Sequence, residues 1–107
     1  MITENIMLRS DLKKGLKHLS IDKDKYVSSM LISGAYDLMD KNRTVQSSKY
    51  YNDFDSFTMK IDKELKDLIK TFCSEKDVKI KDFWNEVAII VLENDGEFDE
   101  EENIPIF

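Results

Sequence analysis

The 107-residue chain has one cysteine, one proline, one histidine, one tryptophan and three glycines. A single thiol, Cys73, cannot close an internal disulfide, so it is expected to be a small buried apolar residue in a protein of the reducing cytoplasm. A single histidine, His18, has no partner at metal-ligand spacing and allows no Ser-His-Asp constellation to be specified. No glycine-rich phosphate loop occurs. No run approaches the roughly 20 apolar residues of a membrane span. No basic-then-apolar leader opens the chain, so neither secretion nor a membrane is expected. These absences argue against an enzyme and against any metal or cofactor. The shortage of glycine and proline predicts long helices with few breaks.

The length is that of one small domain. Its apolar share of 41% supports a packed core, although a core this small gains from a partner, such as a second copy. The net charge of −6 is unevenly placed. Seven of the 22 acids lie from Glu93 onward, where no lysine or arginine occurs. Residues 1–92 therefore carry 16 bases against 15 acids, a nearly neutral body with an acidic tail. Such a body permits contact with nucleic acid without advertising it.

Sliding the chain against itself by 53 positions aligns two segments without a gap. Ile6 meets Met59, Leu8 meets Ile61, Leu12 meets Leu65, Leu16 meets Ile69, Met30 meets Phe83, Leu31 meets Trp84 and Ala35 meets Ala88. Few of these are identities; what recurs is the apolar pattern. Each segment opens with a period-two stretch, which predicts a strand with Ile6 and Leu8, or Phe57, Met59 and Ile61, facing inward. Thr3, Asn5 and Met7, and Ser56, Thr58 and Lys60, then face outward. The spacing next turns helical, with stripes Leu12, Leu16, Leu19 and Leu65, Leu68, Ile69, Phe72. Ser10 and Asp62 are suitable N-caps at the switch.

Polar stretches at 20–26 and 74–79 separate these from second stripes: Val27, Met30, Leu31, Gly34, Ala35, Leu38 and Ile80, Phe83, Trp84, Val87, Ala88, Val91. Small residues at Gly34, Ala35 and Ala88 predict close helix approach. The expected organisation is a first copy over 1–41, a polar linker over 42–56 (in which Tyr50, Tyr51 and Phe54 could still pack), a second copy over 57–93 and an acidic tail over 94–107. One strand with two helices leaves its strand edges unpaired and its apolar faces uncovered. Two copies, joined within a chain or in a dimer, form an antiparallel ribbon covered by four helices, a mostly α fold.

The segment FTMKIDKELKDLIKTFCSEKDVKIKDFWNEVAIIVLEN (57–94) resembles a ribbon-helix-helix repressor of the Arc, MetJ and CopG kind. The segment IMLRSDLKKGLKHLSIDKDKYVSSMLISGAYDLM (6–39) is similar, and a tandem arrangement resembles TraY-type accessory proteins of plasmid conjugation. The resemblance implies that the ribbon enters the major groove of double-stranded DNA and reads base edges with its outward side chains. On this chain those are Thr3, Asn5, Met7, Thr58 and Lys60, with Ser56 beside them. It also implies that the second helices meet phosphate with their N-termini, at Ser28, Ser29 and Lys81, with Asp82 an unfavourable neighbour there. Neither copy has the glycine that the family often carries between its helices.

The implied function is sequence-specific DNA binding, as a transcriptional repressor or as an accessory factor in plasmid transfer or maintenance. An antitoxin with an N-terminal DNA-binding unit is a further reading, as is a protein-interaction module that has lost DNA binding. The tail ends in Ile104, Pro105, Ile106 and Phe107, a candidate docking motif for a partner protein.

Overall fold

The computed structural model describes residues 1–45 and 53–95. The elements run β1 (Ile2–Arg9), α1 (Ser10–Lys23), α2 (Val27–Asp40), β2 (Phe54–Ile61), α3 (Lys63–Lys76) and α4 (Ile80–Asp95). The described residues are mostly helical, with one two-stranded antiparallel sheet and four helices among them. Tyr50, Tyr51 and the motif at Ile104, Pro105, Ile106 and Phe107 lie outside the described residues.

The two strands pair over their whole length, from Ile2↔Ile61 to Arg9↔Phe54. Alternation along them is strict where the core demands it. Ile6, Leu8, Met59 and Ile61 are buried and Phe57 is half-buried, whereas Thr3, Asn5, Met7, Ser56, Thr58 and Lys60 are exposed. The second strand begins at Phe54, three residues before the expected start at Phe57, so the stretch 42–56 is not all linker. Hydrogen bonds explain the extension: the Ser10 N–H and its Oγ both donate to the Asp53 carbonyl, at 2.9 and 3.0 Å, and tie the chain beside α1 before the strand starts.

Helix boundaries also differ from the spacing. Ser20, the exposed Ile21, Asp22 and Lys23 belong to α1, and Ser74, Glu75 and Lys76 belong to α3. Polar residues on the solvent side of a helix carry no apolar period and so read like a turn. The true turns are three residues long and are set by Asp24 and Asp77, both left-handed at φ 54° and 56°. Aspartate is among the few non-glycine residues that take this conformation, which is how the chain turns without a glycine. Ser10 is the first helical residue of α1, not its N-cap; Arg9 holds that position, and the Ser10 hydroxyl is spent on Asp53. Asp62 caps α3 by position, without a side-chain hydrogen bond.

The core gathers the inner face of the ribbon and the facing stripes of all four helices. Leu12, Leu16, Leu31, Leu38, Leu65 and Val87 are fully enclosed. Two stripe residues are corrected: Leu68 and Ile80 are 44% and 39% exposed. Leu68 sits on the outer side of α3, where it borders an open groove with Met39 and Phe72. Helix α4 differs from the other three in being buried from Phe83 to Leu92 without a break, polar Asn85 and Glu86 included. A helix apolar on every side is a central helix, and α4 packs on α1, α2, α3 and β1. Arg43 follows α2 and reaches Glu86 at 3.1 Å and Glu93 at 2.9 Å, which pairs the buried carboxylate.

The close approach expected of Gly34 is present. A Cβ built there lies 2.8 Å from Val91 Cγ2 and 3.0 Å from Val87 Cγ1. Valine is stiff at χ1, so α2 and α4 must separate to admit a methyl group. Gly34→Ala is expected to lose about 1–2 kcal/mol, the overpacking strain exceeding the gain in helix propensity. Urea denaturation measures this, and a variant more stable than the parent contradicts the tight crossing.

Candidate nucleic-acid interface

The outward face of the ribbon is built by register. Cross-strand partners Thr3↔Lys60, Asn5↔Thr58 and Met7↔Ser56 lie in succession along it. All six side chains are exposed, one is a cation and none is a carboxylate. The five residues expected to read bases are thus brought onto one surface. Thr58 Oγ1 donates to Asn5 Oδ1 at 3.2 Å, which orients the amide while its Nδ2 donors and the second lone pair of Oδ1 stay available. Lys13, on α1, donates to the Ser56 carbonyl at 2.9 Å and sets a second ammonium at the ribbon edge.

The phosphate candidates stand at the second and third positions of their helices. Ser28 is half-buried and Ser29 exposed in α2; Lys81 is exposed and Asp82 half-buried in α4. Lys81 is placed with respect to the ribbon. Its ammonium lies 3.7 Å from the centroid of the Phe54 ring, at the strand end that pairs with Arg9. A cation held over an aromatic face keeps its charge and its outward donors. Ser29 instead borders a groove between α2 and the C-terminal half of α4, with Met30, Gly34, Ile90 and Val91. The first-turn N–H groups of both helices have no intrahelical acceptor, as at any helix start.

Asn85 stands outside the residues that spacing singles out. Its Oδ1 accepts from the Arg9 N–H at 2.8 Å, and its Nδ2 donates to the Met7 carbonyl at 2.9 Å and to the Lys81 carbonyl at 2.8 Å. One buried amide therefore fixes the end of β1 against the start of α4. The signal was a polar residue inside the run FWNEVAIIVL, since a polar group so enclosed must find partners. Arg9 closes the same junction with two contacts to Asp11, at 2.8 and 3.2 Å.

Other candidate chemistry is bland. Cys73 is buried, and burial pushes its thiol up to about 11, away from the reactive thiolate. His18 is exposed on α1. Among the described residues, no group of three or more His, Cys, Asp or Glu side chains is placed to hold a metal ion, and no helix is long and apolar enough to cross a membrane. Comparison with protein-family models, with curated proteins and with solved structures found no match.

Proposed function

We propose that this chain is a sequence-specific double-stranded DNA-binding protein, a tandem ribbon-helix-helix unit that reads the major groove with its ribbon. The observation that carries the reading is the outward face of the ribbon: six exposed side chains, free of carboxylates, on an antiparallel pair whose other face is core. A two-stranded ribbon fits the major groove, and Asn, Lys, Thr and Met supply donors, acceptors and methyl contacts for base edges. The tandem reading is supported by spacing. Helices α1 and α3 open at Ser10 and Lys63, α2 and α4 at Val27 and Ile80, and the left-handed caps fall at Asp24 and Asp77, each pair 53 residues apart. The biological role is repressor or plasmid-transfer accessory factor.

The test is binding of variants to a selected site and to random duplex at two salt concentrations. Lys60→Ala is expected to lose about 1–3 kcal/mol on the specific site, roughly 5- to 150-fold, and much less on random DNA. Ser29→Ala and Lys81→Glu are expected to weaken both alike, because phosphate contacts carry no sequence. If Asn5, Thr58 and Lys60 all become alanine with specific affinity unchanged and the fold intact, the ribbon is not the reading head. A protein-interaction module is the second reading, favoured by the exposed Leu68 of α3 beside Phe72 of the same helix and Met39 of α2.

A further inference from the structure

We infer that the DNA site of this protein is non-palindromic, with guanine under one end of the ribbon and a thymine methyl under the other; this rests on the proposed DNA reading. The register places Asn5 opposite Thr58, and these two positions are 53 residues apart. A displacement of 53 carries each half of the chain onto the other, so the approximate two-fold axis of the ribbon passes between them. Under that operation Thr3 exchanges with Ser56 and Met7 with Lys60. A ribbon made from two identical strands shows the same pair at both ends, and its site mirrors that symmetry. Here one end shows Met7 beside Ser56 and the other shows Lys60 beside Thr3.

The two ends differ in kind. Lysine offers three donors and no acceptor, which suits the O6 and N7 acceptors of guanine. Methionine is an apolar thioether with no donor, which suits the methyl group of thymine. Met7 is 40% exposed, a poor position for a large apolar side chain unless something covers it. The supports beneath the ends differ too. Asn85 clamps the Met7 carbonyl and the Arg9 N–H at the first end. Its counterpart 53 positions earlier is Ile32, a half-buried side chain that can make no such bonds. Lys81 stands over Phe54 at the Met7 end, and its counterpart at the start of α2 is the neutral Ser28. Both the reading head and its cationic flank therefore lack the symmetry that an inverted repeat requires. The protein is expected to sit on its site in one orientation.

The experiment is selection of binding sites from a random-sequence duplex pool, using the full chain and two double variants that equalise the ends. Met7→Lys with Ser56→Thr places lysine opposite threonine at both ends. Lys60→Met with Thr3→Ser places methionine opposite serine at both. All four positions are exposed, so the fold is not the quantity perturbed. The parent is expected to return a consensus whose halves differ. The first variant should return an inverted repeat with guanine in both halves and bind it about 10-fold better than the parent's site, the scale of one good base contact. The second should lose the guanine preference. A palindromic consensus from the parent overturns the inference and leaves DNA reading standing. Consensus sequences unchanged in both variants also overturn it. A pool in which the parent enriches no sequence overturns the proposed function itself, and the inference with it.

Discussion

Replacing Trp84 with alanine is expected to cost about 3–5 kcal/mol, a large share of the roughly 5–15 kcal/mol that holds a domain of this size together. The indole is fully buried in the N-terminal half of α4, the helix that touches three others and the ribbon. Its ring meets the Phe83 ring edge-on, with centroids 5.4 Å apart and planes at 86°, and Phe83 in turn meets Phe72 at 5.8 Å. Removing the ring takes away one end of an aromatic chain whose middle member, Phe83, meets Phe72 of α3. The expected cost combines the lost burial of the ring with the cavity it leaves. One feature tempers the contribution of Trp84 itself: its Nε1 is buried and finds no hydrogen-bond acceptor among the described residues. An unpaired buried donor costs about 1–3 kcal/mol. Trp84→Phe deletes that donor along with part of the ring, and its loss is expected to fall well below that of Trp84→Ala. Urea denaturation of both variants measures the difference. An alanine variant that melts within a degree or two of the parent contradicts the central placement, and a phenylalanine variant as damaged as alanine implies that the indole N–H has a partner.

What the sequence disclosed and what it concealed divide along a physical line. Alternation in a strand is read from few residues, because a one-residue slip would turn Ile6 and Met59 to solvent. The inward and outward faces of the ribbon were therefore legible, with every outward residue in its expected place. The stripes of α1 and α2 were legible for a related reason, since each presents one apolar face. Helix α4 was not. Its spacing predicts a single stripe through Ile80, Phe83, Trp84, Val87, Ala88 and Val91, yet Ile80 is partly exposed while Asn85, Glu86, Ile89, Ile90 and Leu92 are buried. A period of 3.6 cannot report burial on all sides; only packing from several elements produces it. The partners of buried polar groups were equally hidden, because Arg43 and Glu86 are 43 residues apart, and Asn85 and Met7 are 78. The likeness between the halves concealed their differences as well. Helical spacing places Leu68 on the α3 stripe, yet it is 44% exposed, and its counterpart 53 positions earlier is the buried Gly15.

Asn85→Ala is expected to cost about 2–4 kcal/mol and to loosen one end of the ribbon selectively. The side chain makes three hydrogen bonds while only 3% exposed. The Lys81 carbonyl keeps its role in the helix after the change, so its loss is minor. The Arg9 N–H and the Met7 carbonyl lose the acceptor and donor that Asn85 provides, at the join of β1 and α1. Each polar group left unpaired in the interior costs about 1–3 kcal/mol, and the cavity adds little because the lost volume is small. Water entering the space recovers part of the first cost, which places the total toward the lower half of the summed range. The same substitution separates a local clamp from a general core contribution through hydrogen exchange. The Arg9 amide should exchange far faster in the variant, while the paired amides around Asn5 and Thr58 should change only as much as the global stability does. Asn85→Leu, which restores the volume without the hydrogen bonds, should behave like alanine at Arg9 and recover little stability. If the leucine variant instead matches the parent in both measurements, the three hydrogen bonds do not hold the strand end, and packing of α4 on β1 alone does.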